Sequence, residues 1–171
     1  HCMDLSPNQK LTGMHLTPQE NRNSGKQWEE CCQEKTKMLE MINKIREAED
    51  YAALGAASKE QIVEAEKELQ LEFAADYKEY LSAFGAATFC GKELTGICSS
   101  ERLSVVAVTK RARSFYKCFP DDAYVIEEML FDHFLVIQKA DGSVLSYGPK
   151  DSEEPLADSL SLYLFPRKSQ G

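Results

Sequence analysis

The sequence contains no run of about 18 consecutive apolar residues, the length from which a membrane-spanning helix is predicted. Its beginning also lacks the basic and then apolar pattern of a secretory signal peptide. The six cysteines are scattered through helix-like and strand-like segments without the spacing of a disulfide framework: Cys2, Cys31, Cys32, Cys90, Cys98 and Cys118. We therefore expect reduced, buried thiols in a cytoplasmic protein that does not enter a membrane.

An excess of basic residues is missing as well. The chain carries 20 lysines and arginines against 28 aspartates and glutamates, which gives a net charge of −8. A general nucleic-acid-binding protein needs a basic face, so we expect no nucleic-acid partner. The same charge suits a basic protein partner, because opposite electric fields accelerate association. The simpler alternative is that the acidic residues only keep the protein soluble.

Histidine is scarce, which restricts the catalytic chemistry that the chain offers. The three histidines are His1, His15 and His133. An enzyme with Cys90 or Cys118 as nucleophile and His133 as base is the remaining catalytic alternative, because a thiolate needs a base within reach. No local sequence motif supports this arrangement, and structural cysteines are more common. We therefore expect no catalytic residues and no enzymatic activity.

The sequence also lacks a recognisable site for a metal, a phosphate or a cofactor. Cys31 and Cys32 are adjacent, so on a helix their side chains point about 100° apart, and no second pair has ligand spacing. The segment 85–92, GAATFCGK, has the wrong glycine spacing for a phosphate-binding loop, and Glu93 stands where that loop needs a hydroxyl residue. We expect no metal, no cofactor and no small-molecule substrate.

The composition divides the chain into four segments. We expect a weakly structured polar lead-in over 1–26, an amphipathic helical extension with a linker over 27–57, the main domain over 58–166 and a tail over 167–171. The apolar stripe of the extension consists of Cys31, Met38, Leu39, Ile42 and Ile45. This helix either packs on the domain or serves as an interaction arm for a partner or a second copy, which leaves a homodimer open.

The stretch 58–85 predicts two helices joined by a short extended link. Ser58 and Gln61 have the spacing of a capping box, in which each side chain bonds the other residue's backbone N–H. Apolar residues at helical spacing follow in the first helix and return in the second: Ile62, Ala65 and Leu69, then Tyr77, Tyr80, Leu81 and Phe84. Gly85 suits the left-handed position that ends a helix.

The second half of the chain predicts a sheet. Apolar runs and turn residues place strands at 88–90, 94–98, 124–129, 134–139 and 144–147, with Asp141-Gly142 as a hairpin turn.

Two further helices are predicted around this sheet. Residues 103–117 form the first, which begins at Ser104 and carries Val105, Val108, Ala112 and Phe115 at helical spacing. The second is predicted from Pro155 to Pro166, after an acidic loop that contains Asp151, Glu153 and Glu154. The fold class is therefore α+β, with a mostly antiparallel sheet packed by N-terminal helices and a closing C-terminal helix, preceded by an N-terminal helical extension.

In the segment 58–85, an acidic first helix is followed by a link with an Asp-Tyr pair, a Tyr-Leu pair and a turn that contains glycine. This pattern resembles the start of the SUKH superfamily. The residues that carry this resemblance are Ile62, Glu66, Leu69, Leu71, Asp76, Tyr77, Tyr80, Leu81 and Gly85. The chain departs from the family at Phe73-Ala74, where Leu-Pro is usual. The superfamily includes yeast regulators of cell-wall synthesis and bacterial immunity proteins, and the resemblance implies the same α+β fold over about 58–166.

The resemblance implies a cytoplasmic immunity protein that binds and neutralises a cognate polymorphic toxin, here a basic nuclease-type domain. A regulatory protein–protein interaction scaffold is the alternative within the family. Acidic residues of the C-terminal half with their aromatic neighbours are the expected toxin-binding residues: Asp121, Asp122, Tyr124, Glu127, Phe131, Asp132, Tyr147, Asp151, Glu153 and Glu154. The alternative is that the aromatic residues belong to the core and the acidic residues only face solvent.

Overall fold

The computed structural model describes residues 18–129 and 133–167. The chain divides into two compact units, His1–Lys37 and Met38–Gly171, and helix α1 (Pro18–Arg46) runs from the first into the second. The predicted start of this helix is near Gln27, whereas the helix begins at Pro18. Proline is compatible with the first turn of a helix. The side chains of residues 26–37 are exposed, including that of Trp28.

The second unit contains two antiparallel sheets. Strands β1 (Ala52–Ala53), β2 (Ala87–Phe89) and β3 (Lys92–Leu94) form the small sheet in that order. The large sheet has the order β4-β5-β6-β7, with β4 (Ala123–Glu128), β5 (Leu135–Lys139), β6 (Val144–Tyr147) and β7 (Glu153–Ala157). Helices α2 (Lys59–Leu69), α3 (Ala75–Phe84), α4 (Val105–Phe115) and α5 (Leu160–Leu164) pack around these sheets. The predicted α+β class is confirmed.

Local signals in the sequence fix the ends of the early helices. The backbone N–H of Gln61 donates to the Ser58 hydroxyl over 3.2 Å, and that of Ser58 donates to Gln61 Oε1 over 2.9 Å, so the predicted capping box is present. Gln70 ends α2 in the left-handed conformation, with φ 56°. Helix α3 ends at Gly85, whose φ is 70°. Ser104 caps α4, which confirms the predicted fourth helix.

Strands β4 and β5 are buried on both faces because α4 lies on one face and the other helices lie on the opposite one. Neighbouring residues of a strand point to opposite faces. Tyr124, Val136 and Val144 therefore join the first core, which contains residues of α1, α2, α3 and α5. Val125 and Ile137 join the second core, which includes Val108 and Ala112 of α4 together with Phe119 and Tyr147.

The predicted C-terminal helix is wrong in its extent. Residues Glu153–Ala157 form the edge strand β7, and only Leu160–Leu164 are helical. Proline is tolerated at an edge because its missing N–H faces away from the sheet, and Pro155 is opposite Leu145 of β6. Glu153 and Glu154 consequently lie in a strand and not in the predicted loop.

Two further expectations are corrected. A strand is predicted at 94–98, but the observed strand β3 lies earlier and ends at Leu94. The next residue, Thr95, donates its backbone N–H to Ile126 O of β4 over 2.9 Å. The described cysteines are free thiols, but they are not buried as expected. Cys98 is half-buried, and the following are exposed: Cys31, Cys32, Cys90 and Cys118. Cys2 lies outside the described residues. None of the described helices has the length and apolar character needed to cross a membrane.

Candidate protein-binding site

Exposed carboxylates lie in the turn before β4 and along β7, the two edge strands of the large sheet. We define the acidic surface by the following residues: Asp121, Asp122, Asp151, Glu153 and Glu154, all exposed. Lys139 of β5 joins its two parts, because its Nζ is 4.0 Å from Asp122 Oδ1 and 3.4 Å from Glu153 Oε2. Asp121 precedes Asp122 in the same turn. Five carboxylates therefore stand against three basic residues: Lys139, the exposed Lys150 and Arg113, whose Nη2 donates to Asp121 O over 3.1 Å.

A buried tyrosine holds Asp151 in this surface. The Tyr147 hydroxyl donates to Asp151 Oδ1 over 2.5 Å, while the tyrosine ring packs edge-on against Tyr116 and Phe119 with centroid distances of 5.2 Å. Burial raises the pKa of Tyr147 far above its ordinary value, and the neighbouring carboxylate adds to the shift. The hydroxyl thus remains a proton donor, and it fixes a carboxylate whose backbone has a left-handed φ of 54°.

Glu154 extends the acidic surface around the edge of the sheet. It follows Glu153 directly, and successive side chains of a strand project from opposite faces. Glu153 is opposite Tyr147, whereas Glu154 is opposite Ser146. The acidic surface therefore covers the β7 edge from both sides.

Tyr124 and Tyr147 are among the predicted toxin-binding residues. Both are buried in the core and are not part of an exposed surface. The Tyr124 hydroxyl donates to Gln138 Oε1 and accepts from the Ala74 backbone N–H, both over 2.9 Å. These bonds satisfy polar groups that burial would otherwise leave without partners. The alternative interpretation, in which the aromatic residues belong to the core, applies to both tyrosines.

Glu127 is also buried and separate from the acidic surface. Tyr163 of α5 donates its hydroxyl to Glu127 Oε2 over 2.5 Å, and Lys92 Nζ is 3.9 Å from the same oxygen. The ammonium group of Lys92 additionally lies 4.8 Å from the centre of the Tyr163 ring. This cluster links β3, β4 and α5, and we assign it to the interior. The predicted contact residues Phe131 and Asp132 lie outside the described residues.

Asp76 has a structural role that no local sequence pattern indicates. Its carboxylate accepts from the backbone N–H of Leu160 over 2.8 Å and from Gln138 Nε2 over 3.0 Å. Burial raises the pKa of Asp76, whereas these two hydrogen bonds oppose the shift. Asp76 thereby joins α3, β5 and α5 at one point. The only sequence signal was its place in the Asp-Tyr pair of the resemblance.

Phe115 was expected on the apolar face of α4 with Val105, Val108 and Ala112. Those three residues are buried, but the Phe115 side chain is 80 % exposed. The signal that could have placed it outside was its position in the last turn of the helix. Among the described residues, no group of three His, Cys, Asp or Glu side chains is arranged to hold a metal ion.

Comparison with protein families connects this architecture to known proteins. The SUKH_5 family model, described as SMI1-KNR4 cell-wall, matches residues 38–165. The chain belongs to the SUKH superfamily. A crystal structure of a protein from Pseudomonas syringae pv. tomato is similar to this SUKH protein with a TM-score of 0.55 and 20 % identity, covering 71 % of this chain and 91 % of that one. This likeness shows a common fold. No curated protein matches the chain.

The match to the SUKH family begins inside α1 and not at Ser58. Met41, Ile42 and Ile45 of this helix are buried in the first core. The core of the SUKH domain therefore includes residues of the segment 27–57, which the composition predicts to be an extension outside the main domain.

Proposed function

We propose that this SUKH protein is a non-enzymatic immunity protein that binds a cognate protein toxin in the cytoplasm and neutralises it by covering it. The observation that carries the proposal is the acidic surface, in which carboxylates from two separate segments meet at Lys139. Membership of the SUKH superfamily supports a protein-binding role.

The partner that fits this surface is a protein domain with a basic cleft, as in a nuclease. Fixed carboxylates occupy the positions that nucleic-acid phosphates would take and so exclude the substrate of such a domain. Opposite charges also accelerate association and make its rate sensitive to salt. The net charge of −8 acts in the same direction.

The exposed edge of the large sheet supports binding through side chains and not through added strands. Pro155 removes one backbone donor, and Glu153 and Glu154 place charge along β7. Both features are known to prevent a foreign strand from pairing with an edge. A partner therefore meets the carboxylates of β7 and not its backbone groups.

The test begins with affinity capture by the full-length chain from the organism that encodes it. The captured proteins are identified, and each is expressed in bacteria with and without this chain. We expect one captured protein with a basic domain to stop growth alone and to lose this effect when the chain is present. A captured set that contains no toxic protein contradicts the proposal.

Charge reversal then examines the acidic surface itself. The double variant Asp122→Lys, Glu153→Lys is expected to slow association with the toxin domain by at least about tenfold at low salt. The matched control, Glu60→Lys together with Glu64→Lys, changes the net charge equally on exposed positions of α2. Equal losses in both variants would mean that only the total charge matters.

A regulatory scaffold is the second candidate, and the exposed first part of α1 favours it. Trp28 is 73 % exposed, and the other side chains of residues 26–37 are exposed as well. Deletion of residues 1–37 is expected to abolish partner binding if the scaffold interpretation is correct. It leaves toxin neutralisation unchanged if the acidic surface carries the function.

A further inference from the structure

A second exposed feature lies next to the acidic surface. Helix α4 and the adjoining ends of β4 and β5 border an open groove with a volume of about 520 Å³. We define the apolar groove by the following residues: Ala112, Phe115, Tyr116, Met129, Phe134 and Leu135. Phe115, Met129 and Phe134 are 80 %, 43 % and 39 % exposed, so three large apolar side chains from two elements face solvent together. Contiguous exposed apolar side chains of this kind mark interaction sites.

The groove contributes apolar surface without net charge. Its polar border includes Ser114 and His133, and its two charged residues, Arg111 and Glu128, pair with an Nη2–Oε1 distance of 3.1 Å. These two charges compensate each other. The groove therefore neither weakens nor strengthens the negative field of the neighbouring acidic surface.

Tyr147 connects the groove with the acidic surface. Within the large sheet it is opposite Leu135 of the groove on one side and Glu153 of the acidic surface on the other. Its ring contacts Tyr116 of the groove, and its hydroxyl holds Asp151. The groove and the acidic surface therefore adjoin at Tyr147, which is itself buried beneath them.

We infer that the apolar groove receives a large apolar side chain of the same basic partner domain that the acidic surface attracts. This inference rests on the proposed function and adds the chemistry of the partner: an aromatic or aliphatic residue that protrudes beside its basic cleft. Charge pairs at a rim mainly govern association, whereas desolvated apolar anchors mainly govern dissociation. The acidic surface thus sets the association rate, and the groove sets the lifetime of the complex.

The first measurement concerns the groove alone and needs no partner. Nile red, a neutral apolar dye, is titrated into the full-length protein and its Phe115→Ser variant. We expect the variant to lose most of the fluorescence increase. Val63→Ser, which removes another exposed apolar side chain from α2, is expected to behave as the unchanged protein. Equal dye binding by all three proteins overturns the inference, whatever the partner is.

The second measurement uses the inactivated toxin domain identified by the capture experiment. We expect Phe115→Ser to raise Kd at least about tenfold through faster dissociation, while the salt dependence of association stays unchanged. Phe115 is so exposed that the variant should unfold at the same temperature as the original protein. Val63→Ser is again the matched control.

The outcomes separate the inference from the proposed function. If charge reversal slows association but Phe115→Ser dissociates at the original rate, the groove is not part of the interface and the immunity function stands. If Phe115→Ser alone weakens binding, the groove is confirmed and the role of the acidic surface is rejected. If no toxin is found, the proposed function and the partner assigned to the groove both fall, even when the dye binds.

Discussion

A Cβ atom on Gly96 would lie 1.7 Å from the carbonyl oxygen of Gly85. That same oxygen accepts the backbone N–H of Ile97 over 2.9 Å, so the two chain segments cannot separate without losing a buried bond. Gly85 is also close to Gly55: a Cβ atom added to Gly85 would lie 1.9 Å from the carbonyl oxygen of Gly55. The absence of side chains at Gly85 and Gly96 therefore allows the end of α3 to contact two other segments directly through the backbone.

Gly96→Ala is predicted to destabilise the fold severely, by more than about 3 kcal/mol, because backbone atoms must move to admit the methyl group. Gly91→Ala is the control. Gly91 has a φ of 72° but open space around its Cβ position, so only conformational strain of about 1–2 kcal/mol is expected. Urea unfolding of both variants measures the difference. Similar losses in the two variants would show that the close approach is not maintained.

Tyr124→Phe is predicted to lower the free energy of unfolding by about 1–3 kcal/mol, because Gln138 Oε1 and the Ala74 N–H lose their buried partner. Tyr51→Phe removes the hydroxyl of an exposed tyrosine and is expected to stay within about 0.5 kcal/mol of the original protein. Thermal and urea unfolding provide the comparison. An unchanged stability of Tyr124→Phe would contradict the hydrogen-bonded core that we describe.

Asp76 is predicted to make stability decrease with rising pH in the acidic range. Burial raises its pKa in the folded protein above the ordinary value, so the folded state binds the proton more tightly than the unfolded state. The stabilising contribution of the protonated carboxyl is complete below the unfolded-state pKa and is lost as the pH rises through the folded-state pKa.

The measurement compares the original protein with Asp76→Asn, which cannot titrate. The difference in the free energy of unfolding, original minus variant, should decrease across that pH interval. A carboxyl titration by NMR gives the midpoint directly. A midpoint at or below that of an ordinary aspartate would refute the assignment of burial as the dominant cause.

Asp50 is predicted to show the opposite pH dependence. The backbone N–H groups of Gly91 and Cys90 donate to its two carboxylate oxygens over 2.8 and 2.6 Å and hold the pKa of Asp50 below its ordinary value. A depressed folded-state pKa gives a stabilisation that is present above the unfolded-state pKa and is lost as the pH falls through the folded-state pKa.

Asp50→Asn should therefore be less stable than the original protein at neutral pH, and the two should converge in strong acid. Chemical unfolding at several pH values tests this expectation. Glu49→Gln, at the exposed neighbouring position, is the matched control and should show no comparable convergence. A constant difference at all pH values would mean that the Asp50 carboxylate does not stabilise the β2–β3 turn through its charge.

Several features of the fold could be predicted because they depend on neighbouring residues. The capping box of Ser58 and Gln61 and the cap of Ser104 are set by side chains three residues from their backbone partners. The helical spacing of Val105, Val108 and Ala112 predicts α4, and the structure agrees. Family resemblance then indicated how these elements combine into an α+β domain.

The candidate site could be predicted only in part. Asp121, Asp122, Asp151, Glu153 and Glu154 are exposed as expected, whereas Tyr124, Glu127 and Tyr147 are buried. Helices cover both faces of β4, so its residues are buried consecutively from Ala123 to Glu127, and a strand that is covered in this way has no solvent face for Tyr124 or Glu127. The register of β4 contains an irregularity between Val125 and Glu127 that no local pattern reveals.

Pro155 and Phe115 illustrate the same limit. Proline is compatible with both the first turn of a helix and an edge strand, and only the pairing with Leu145 decides between them. Phe115 has the helical spacing of a core residue but stands in the last turn of α4, and its side chain is exposed.

The sequence by itself determined the helix caps, the turn glycines, the negative charge and the α+β class, because each depends on composition or on residues close in the chain. Only the tertiary structure decided which carboxylates meet at Lys139, how Asp76 joins Leu160 across 84 positions, and which aromatic residues remain exposed. Those relationships depend on strand register and on contacts between distant segments. They are fixed by the packing of the whole domain and not by any local pattern of residues.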